Sequence, residues 1–208
     1  HQDDETLGCG GTLLRHNNDG DDVYCIFCTS MKSKNGFTEE AISNRKKEID
    51  DIKKHYKFSR TFNLDLDTTR VDEYSFSDLI SHFSRIFSDI KPNIVYLPFM
   101  FDVHSDHRKV FEAAYSCTKS FRYPYIKKIL MMETLSETEF APSIPNISFV
   151  PNVYVDISPY MEKKIRAMNI YQSEISDFPF PRSEDAIIAL AKYRGSSAGC
   201  SYAESFML

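Results

Sequence analysis

Two short stretches hold residue types that do acid–base and metal chemistry: His1-Gln2-Asp3-Asp4-Glu5 and Asp102-Val103-His104-Ser105-Asp106-His107-Arg108. Together they offer three imidazoles and several carboxylates, and a helical pattern follows each one directly. Neutral imidazole and carboxylate suit zinc, and a catalytic zinc takes three protein ligands and leaves a fourth position for water. Read as a pair, the stretches point to a metal hydrolase. Aspartates at helix starts also have an ordinary role, because they satisfy free backbone N–H groups and the helix dipole. Asp3, Asp4 and Asp106 are open to both readings.

The elements that must carry these residues follow from periodicity. Asp4 to Asn18 reads as a helix on Leu7, Leu13 and Leu14, with Gly20 as its stop. Val23 to Cys28 is a continuous apolar run, the mark of a strand buried on both faces. Ser30 to Phe37 is a polar loop placed over the mouth of a site, and Thr38 caps a helix to about Tyr56. Thr61 to Leu64 is a short strand before an acidic loop with Asp65, Asp67, Asp72 and Glu73. Ser75 or Ser77 caps the next helix, ended by Pro92. Asn93 to Leu97 is a buried strand that delivers the second stretch, and a helix from about Ser105 to Phe121 follows. Lys128–Met132 and Asn152–Ile157 are further strands. Pro159 opens a helix through Tyr171, Ser183 caps another through Tyr193, and the tail Ala198–Leu208 docks.

Strands alternating with helices predict an α/β fold: a Rossmann-like three-layer αβα sandwich with a mostly parallel sheet. In such sheets ligands sit beyond the carboxyl ends of strands. The second stretch follows the strand ending at Leu97, and His1 would follow a strand upstream of this sequence. Both would reach one edge, in a single domain spanning residues 1–208.

Composition narrows the class. With 208 residues, 42% hydrophobic and 26% charged, the chain is ordinary globular material. A net charge of −5 speaks against a nucleic-acid partner. No apolar run reaches the roughly 18 residues that span a bilayer. Five cysteines without framework spacing read as reduced thiols of a cytoplasmic protein. Cys25 and Cys28 form a C-x-x-C, but inside a strand they point to opposite faces, which favours core packing over metal or redox chemistry. His16, His55 and His82 read as ordinary boundary histidines. Phe99, Met100 and Phe101, just before the second stretch, suggest a pocket wall.

His1 to Glu5 resembles the A-H-P-D-D-E opening motif of the PIG-L/LmbE-like family of zinc-dependent N-acetylglucosaminyl deacetylases, with Gln2 in place of the usual proline. His104 to Arg108 resembles its H-x-D-H-R motif. Arg45 to Glu48 is similar to an arginine–glutamate helix motif, although by spacing alone the two form an i,i+3 surface pair. Tyr193-Arg194-Gly195 through Ala198-Gly199 to Tyr202-Ala203-Glu204 resembles the C-terminal signature. Thr29 to Lys34 departs from the family's threonine–glycine pattern, which bears on the choice of sugar more than on the chemistry.

The resemblance implies the following roles. His1, Asp4 and His107 hold one zinc per chain. Asp3 is the general base for the attacking water. His104 faces the developing oxyanion or the leaving amine, with Asp106 orienting its ring. Arg45 and Arg108 bind substrate. Glu5, Asp102 or Asp106 would hold ligand imidazoles in the right tautomer. From its residues alone, the acidic loop Asp65 to Glu73 reads as solvated, with one carboxylate open to hydrogen-bonding sugar hydroxyls. Ligand type alone also admits ferrous iron or cobalt. The implied activity is removal of acetyl from an N-acetylated amino-sugar, a small molecule or glycoconjugate. An amidase for a larger sugar or thiol-conjugate amide, and a sugar- or metal-binding module without catalysis, are the competing readings.

Overall fold

Leu7, Leu13 and Leu14 are buried in helix α1 (Asp4–Asp19), which is buried on all sides from Asp4 to Leu14 and closed by Gly20 in the left-handed conformation. The computed structural model describes residues 1–208, which fall into two compact units. The first comprises His1–Thr68 and Tyr154–Ser205, the second Thr69–Val153 and Phe206–Leu208.

In the first unit, α1 is followed by β1 (Tyr24–Ser30), α2 (Glu39–Tyr56) and β2 (Arg60–Asp67). Thr38 caps α2 as its sequence position predicts, its hydroxyl accepting from Ala41 N. β1 and β2 pair in parallel. β2 is longer than its apolar stretch: it runs through Asp65 and Asp67, which the sequence placed in a loop. Asp65 adopts φ 54°, a conformation Asp tolerates better than most residues. The register shifts between Phe27 and Thr29. Lys32 and Lys34 lie 2.9 and 2.5 Å from the Asp67 carboxylate and hold it down to about 2, so charge pairing lets an acidic segment stay in the strand.

Later in this unit α5 (Met161–Met168) stops short of Tyr171, and α6 (Glu184–Ala198), capped by Ser183, runs past Tyr193. α1 packs against α2 and α5. Ile52, Tyr56, Ile157, Met168 and Tyr171 form the centre of its core.

In the second unit, Ser75 caps α3 (Phe76–Ile90), and β3 (Ile94–Leu97) leads to α4 (Ser105–Tyr115) and β4 (Lys128–Met132). α4 ends six residues before Phe121. Ser116 Oγ donates to Glu112 O and Thr118 Oγ1 to Tyr115 O, so hydroxyls take carbonyls that a continuing helix would use.

β5 (Val153–Asp156) and β6 (Ala203–Met207) complete the strands. One sheet is the β1–β2 pair, and the other has the order β3-β4-β6-β5. β3 and β4 are parallel, but β6 runs antiparallel to β4, Met131 opposite Met207 and Met132 opposite Phe206. The second sheet is therefore mixed, while its β3–β4 pair and the β1–β2 pair run parallel as the sequence predicts. The tail was expected to dock and does so as a strand, with Phe206 fully buried and its ring 5.2 Å from that of Tyr96. Glu204 and Ser205 sit buried in mid-strand, which hid β6 from an apolar-pattern reading.

All five cysteines are free. Burial pushes the Cys9 and Cys25 thiols well up, which keeps them protonated and unreactive. No helix is long and apolar enough to cross a membrane.

Candidate active site

The first motif opens α1. Asp3 is its N-cap by position, and its carbonyl accepts from Thr6 N and Leu7 N, but its side chain makes no capping bond. The carboxylate, 4% exposed, instead lies 3.8 Å from Arg182 Nη1. The ordinary helix-start role therefore does not account for Asp3. Burial and the adjacent Asp4 charge push its pKa up to about 7. Glu5 is also buried and pushed up to about 7, although Tyr171 Oη and Thr6 Oγ1 both donate to its Oε1, at 2.7 and 2.8 Å. His1 is half-buried and Asp4 buried, in the same unit.

Arg45 is not a surface residue; it is 5% exposed. Its Nη1 donates to the carbonyl of Gln2 at 2.7 Å, between His1 and Asp3. Its Nη2 donates to Ser173 Oγ at 2.8 Å and to the Glu174 carboxylate. Its Nε lies 2.9 Å from Glu48, and the guanidinium covers the Tyr171 ring at 5.4 Å. Glu174 binds a second arginine, with Arg182 Nη2 3.1 Å from its Oε2. The chain Arg45–Glu174–Arg182 thus braces the backbone and the carboxylate of the first motif. No sequence pattern marks Ser173, Glu174 or Arg182, because their link to residue 45 is purely spatial.

The second motif lies at the end of β3 and the start of α4, in the other unit. His107, 2% exposed, places Nδ1 2.8 Å from Asp102 Oδ2. Asp102 is fully buried and takes Thr138 Oγ1 on its other oxygen at 2.7 Å. Thr138 Oγ1 in turn accepts from Thr134 N. With Nδ1 engaged by a carboxylate, a metal would be taken by Nε2, the orientation in which a ligand histidine is usually held. Imidazole nitrogen and carboxylate oxygen are a donor set that fits zinc. Asp102→Asn should therefore weaken zinc binding on the order of 10–100-fold while the chain stays folded, read by chelator competition.

His104 caps α4 with its ring: Nδ1 accepts from Asp106 N at 3.1 Å. An accepting Nδ1 puts the proton of the neutral ring on Nε2. Asp106 therefore orients His104 through its amide. Its carboxylate accepts from Thr69 N and Val71 N, at 2.7 and 3.2 Å, and fixes the turn before α3. The His104 and His107 rings stack with centroids 5.6 Å apart. Arg108 Nη1 donates to the carbonyls of Asp102 and Val103, at 2.7 and 2.6 Å, and clamps the loop that carries His104. Phe99 is core, with its ring edge-on to Phe101 and Phe149, while Met100 is exposed.

A diacetylchitobiose deacetylase of Thermococcus kodakarensis is 23% identical over 219 residues, covering 98% of this chain and 78% of that protein. Among solved structures, N,N'-diacetylchitobiose deacetylase from Pyrococcus horikoshii, complexed with its inhibitor MPG, superposes with a TM-score of 0.76 at 21% identity. That match covers 100% of this chain and 80% of the other. GalB, the 4-carboxy-2-hydroxymuconate hydratase of Pseudomonas putida KT2440, does so with a TM-score of 0.74 at 15% identity, covering 100% and 92%. At these identities the two structures speak for a shared fold, and a fold hosts more than one reaction. The family model described as PIG-L, GlcNAc-PI de-N-acetylase, matches residues 1–118, a span that holds both motifs and more than half of the chain. This chain belongs to that family.

Proposed function

We propose that this protein is a metal-dependent hydrolase that removes the acetyl group from an N-acetylated amino-sugar of the N-acetylglucosamine type. The observation that carries the reading is the buried Asp102–His107 pair, a built support for a metal-ligand imidazole, inside a chain of this family. The motif positions assign His1, Asp4 and His107 to one zinc ion. The Rossmann-like plan, with chemistry at the carboxyl ends of strands, belongs to the same reading. The parallel β3–β4 pair, with the second motif directly after β3, supports it. The treatment of residues 1–208 as one deacetylase domain belongs to the same reading. Free thiols agree with a cytoplasmic setting.

When bound, zinc polarises the amide carbonyl and lowers the pKa of water towards roughly 7. Asp3 takes the proton from the attacking water, and burial without a capping duty suits it to that task. His104, with its Nδ1 occupied by the Asp106 amide, presents Nε2–H to the oxyanion that forms on the carbonyl oxygen. The C–N bond then breaks, the water oxygen remains in acetate, and the amine leaves with a proton relayed from these groups. In this reading Arg45 and Arg108 act first as positioning residues, since each guanidinium grips motif backbone. Substrate contact by either would come in addition.

The test is metal content by mass spectrometry on the purified protein, with acetate release measured on N-acetylglucosamine derivatives. About one zinc per chain and acetate release are expected. Amine release from a larger amide without acetate would favour the amidase instead. No metal and no turnover would sink the hydrolase reading.

A further inference from the structure

Helix α1 is broken near its start: Cys9 has non-helical dihedrals, φ −146° and ψ 18°. In an unbroken helix the amide of Gly11 would donate to the carbonyl of Leu7. Here the two groups go to separate partners. Gly11 N donates to Glu204 Oε1 at 2.8 Å, and Leu7 O accepts from Lys164 Nζ at 2.8 Å. Lys164 Nζ lies 2.6 Å from Glu204 Oε1, so an ion pair occupies the place of that helical bond. Glu204 also accepts from Thr12 N and Thr12 Oγ1, at 2.7 and 2.6 Å. Both charged side chains are buried, and every partner lies in the same unit.

The surroundings are shaped for this insertion. A Cβ at Gly11 would meet the Ile157 side chain at 2.7 Å, so only glycine lets the second half of α1 settle there. At the far end, a Cβ on Gly195 would meet Cys200 O at 2.7 Å. That backbone-to-backbone approach lets the chain turn back after α6, and Ile157 N then registers on Tyr202 O two residues before Glu204. The tail signature from Gly195 to Glu204 thus delivers one carboxylate to one helix break.

Replacing a buried ion pair by apolar residues is often neutral or stabilising, so stability is a poor account of why the pair is there. Its geometric effect is plain. The break re-aims the short segment that carries Asp3, Asp4 and Glu5 relative to the rest of α1. We propose that Lys164 and Glu204 are positioning residues that set the direction of the first motif, and through Asp3 and Asp4 the metal affinity and the placement of the base. This rests on the metal-hydrolase reading above.

The test uses Co(II) as the probe, reading its dissociation constant and the visible absorption bands that report ligand geometry, alongside kcat and KM. Glu204→Gln cannot accept from all four donors (Gly11 N, Thr12 N, Thr12 Oγ1 and Lys164 Nζ) and is expected to weaken Co(II) binding about tenfold or more, with altered bands. Thr12→Val removes only the hydroxyl bond and should shift both readouts in the same direction by less, with Thr12→Ser restoring them. Ile86→Val, a core change in the other unit, controls for general destabilisation and should leave Co(II) binding alone. Wild-type affinity and bands in a folded Glu204→Gln variant would overturn the proposal, as would an equal shift in Ile86→Val. If Glu204→Gln does not fold, Thr12→Val decides. A wild-type protein that takes no cobalt would instead remove the metal reading, and this proposal with it.

Discussion

His107→Ala is expected to abolish stoichiometric zinc, from about one ion per chain to nearly none, and to abolish acetate release with it. Deleting a ligand outright should exceed the roughly 10–100-fold loss typical of removing a ligand's support. The same substitution strips the fully buried Asp102 carboxylate of its imidazole partner. Removing one member of a buried pair typically costs on the order of 3–5 kcal/mol, so the unfolding midpoint should fall as well. The two effects separate in the double variant His107→Ala/Asp102→Asn. Neutralising residue 102 should recover much of the thermal loss and none of the zinc. Zinc retained near one per chain in His107→Ala would remove His107 from the ligand set.

Asp3→Asn is expected to behave in the opposite way: zinc stays near one per chain, and acetate release falls by roughly 10²–10⁴-fold, the usual worth of a general base. The carboxylate is buried, makes no helix-capping bond, and faces Arg182 at 3.8 Å. Asparagine keeps its size and loses its basicity. Affinity for an unreactive substrate analogue should move little, so the loss falls in kcat. Unchanged turnover with altered affinity would favour a binding module. Zinc lost together with activity would make Asp3 a ligand.

Much of this could be read along the chain. The caps at Thr38 and Ser183 are local bonds spanning three residues, so the sequence places them correctly, and of Ser75 and Ser77, both open in the sequence, it is Ser75 that caps α3. Strand β4 was placed at Lys128–Met132 by its apolar run. The paired motifs identified the family, because both ordered sets of ligand-type residues survive as short strings.

Tertiary structure decided what those strings are held by. Asp106 and Arg45 had defensible local readings, as ring orienter and as surface or substrate arginine. The folded chain gives the Asp106 carboxylate to the amides of Thr69 and Val71, and Arg45 to the carbonyl of Gln2. Thr138 under Asp102, Arg182 beside Asp3 and Glu204 inside α1 had no local signal at all. Local bonds repeat with the helical or strand period and so leave a pattern in the sequence. A buried polar group satisfied by a residue up to 193 positions away leaves none, because its partner is chosen by where the fold brings the backbone.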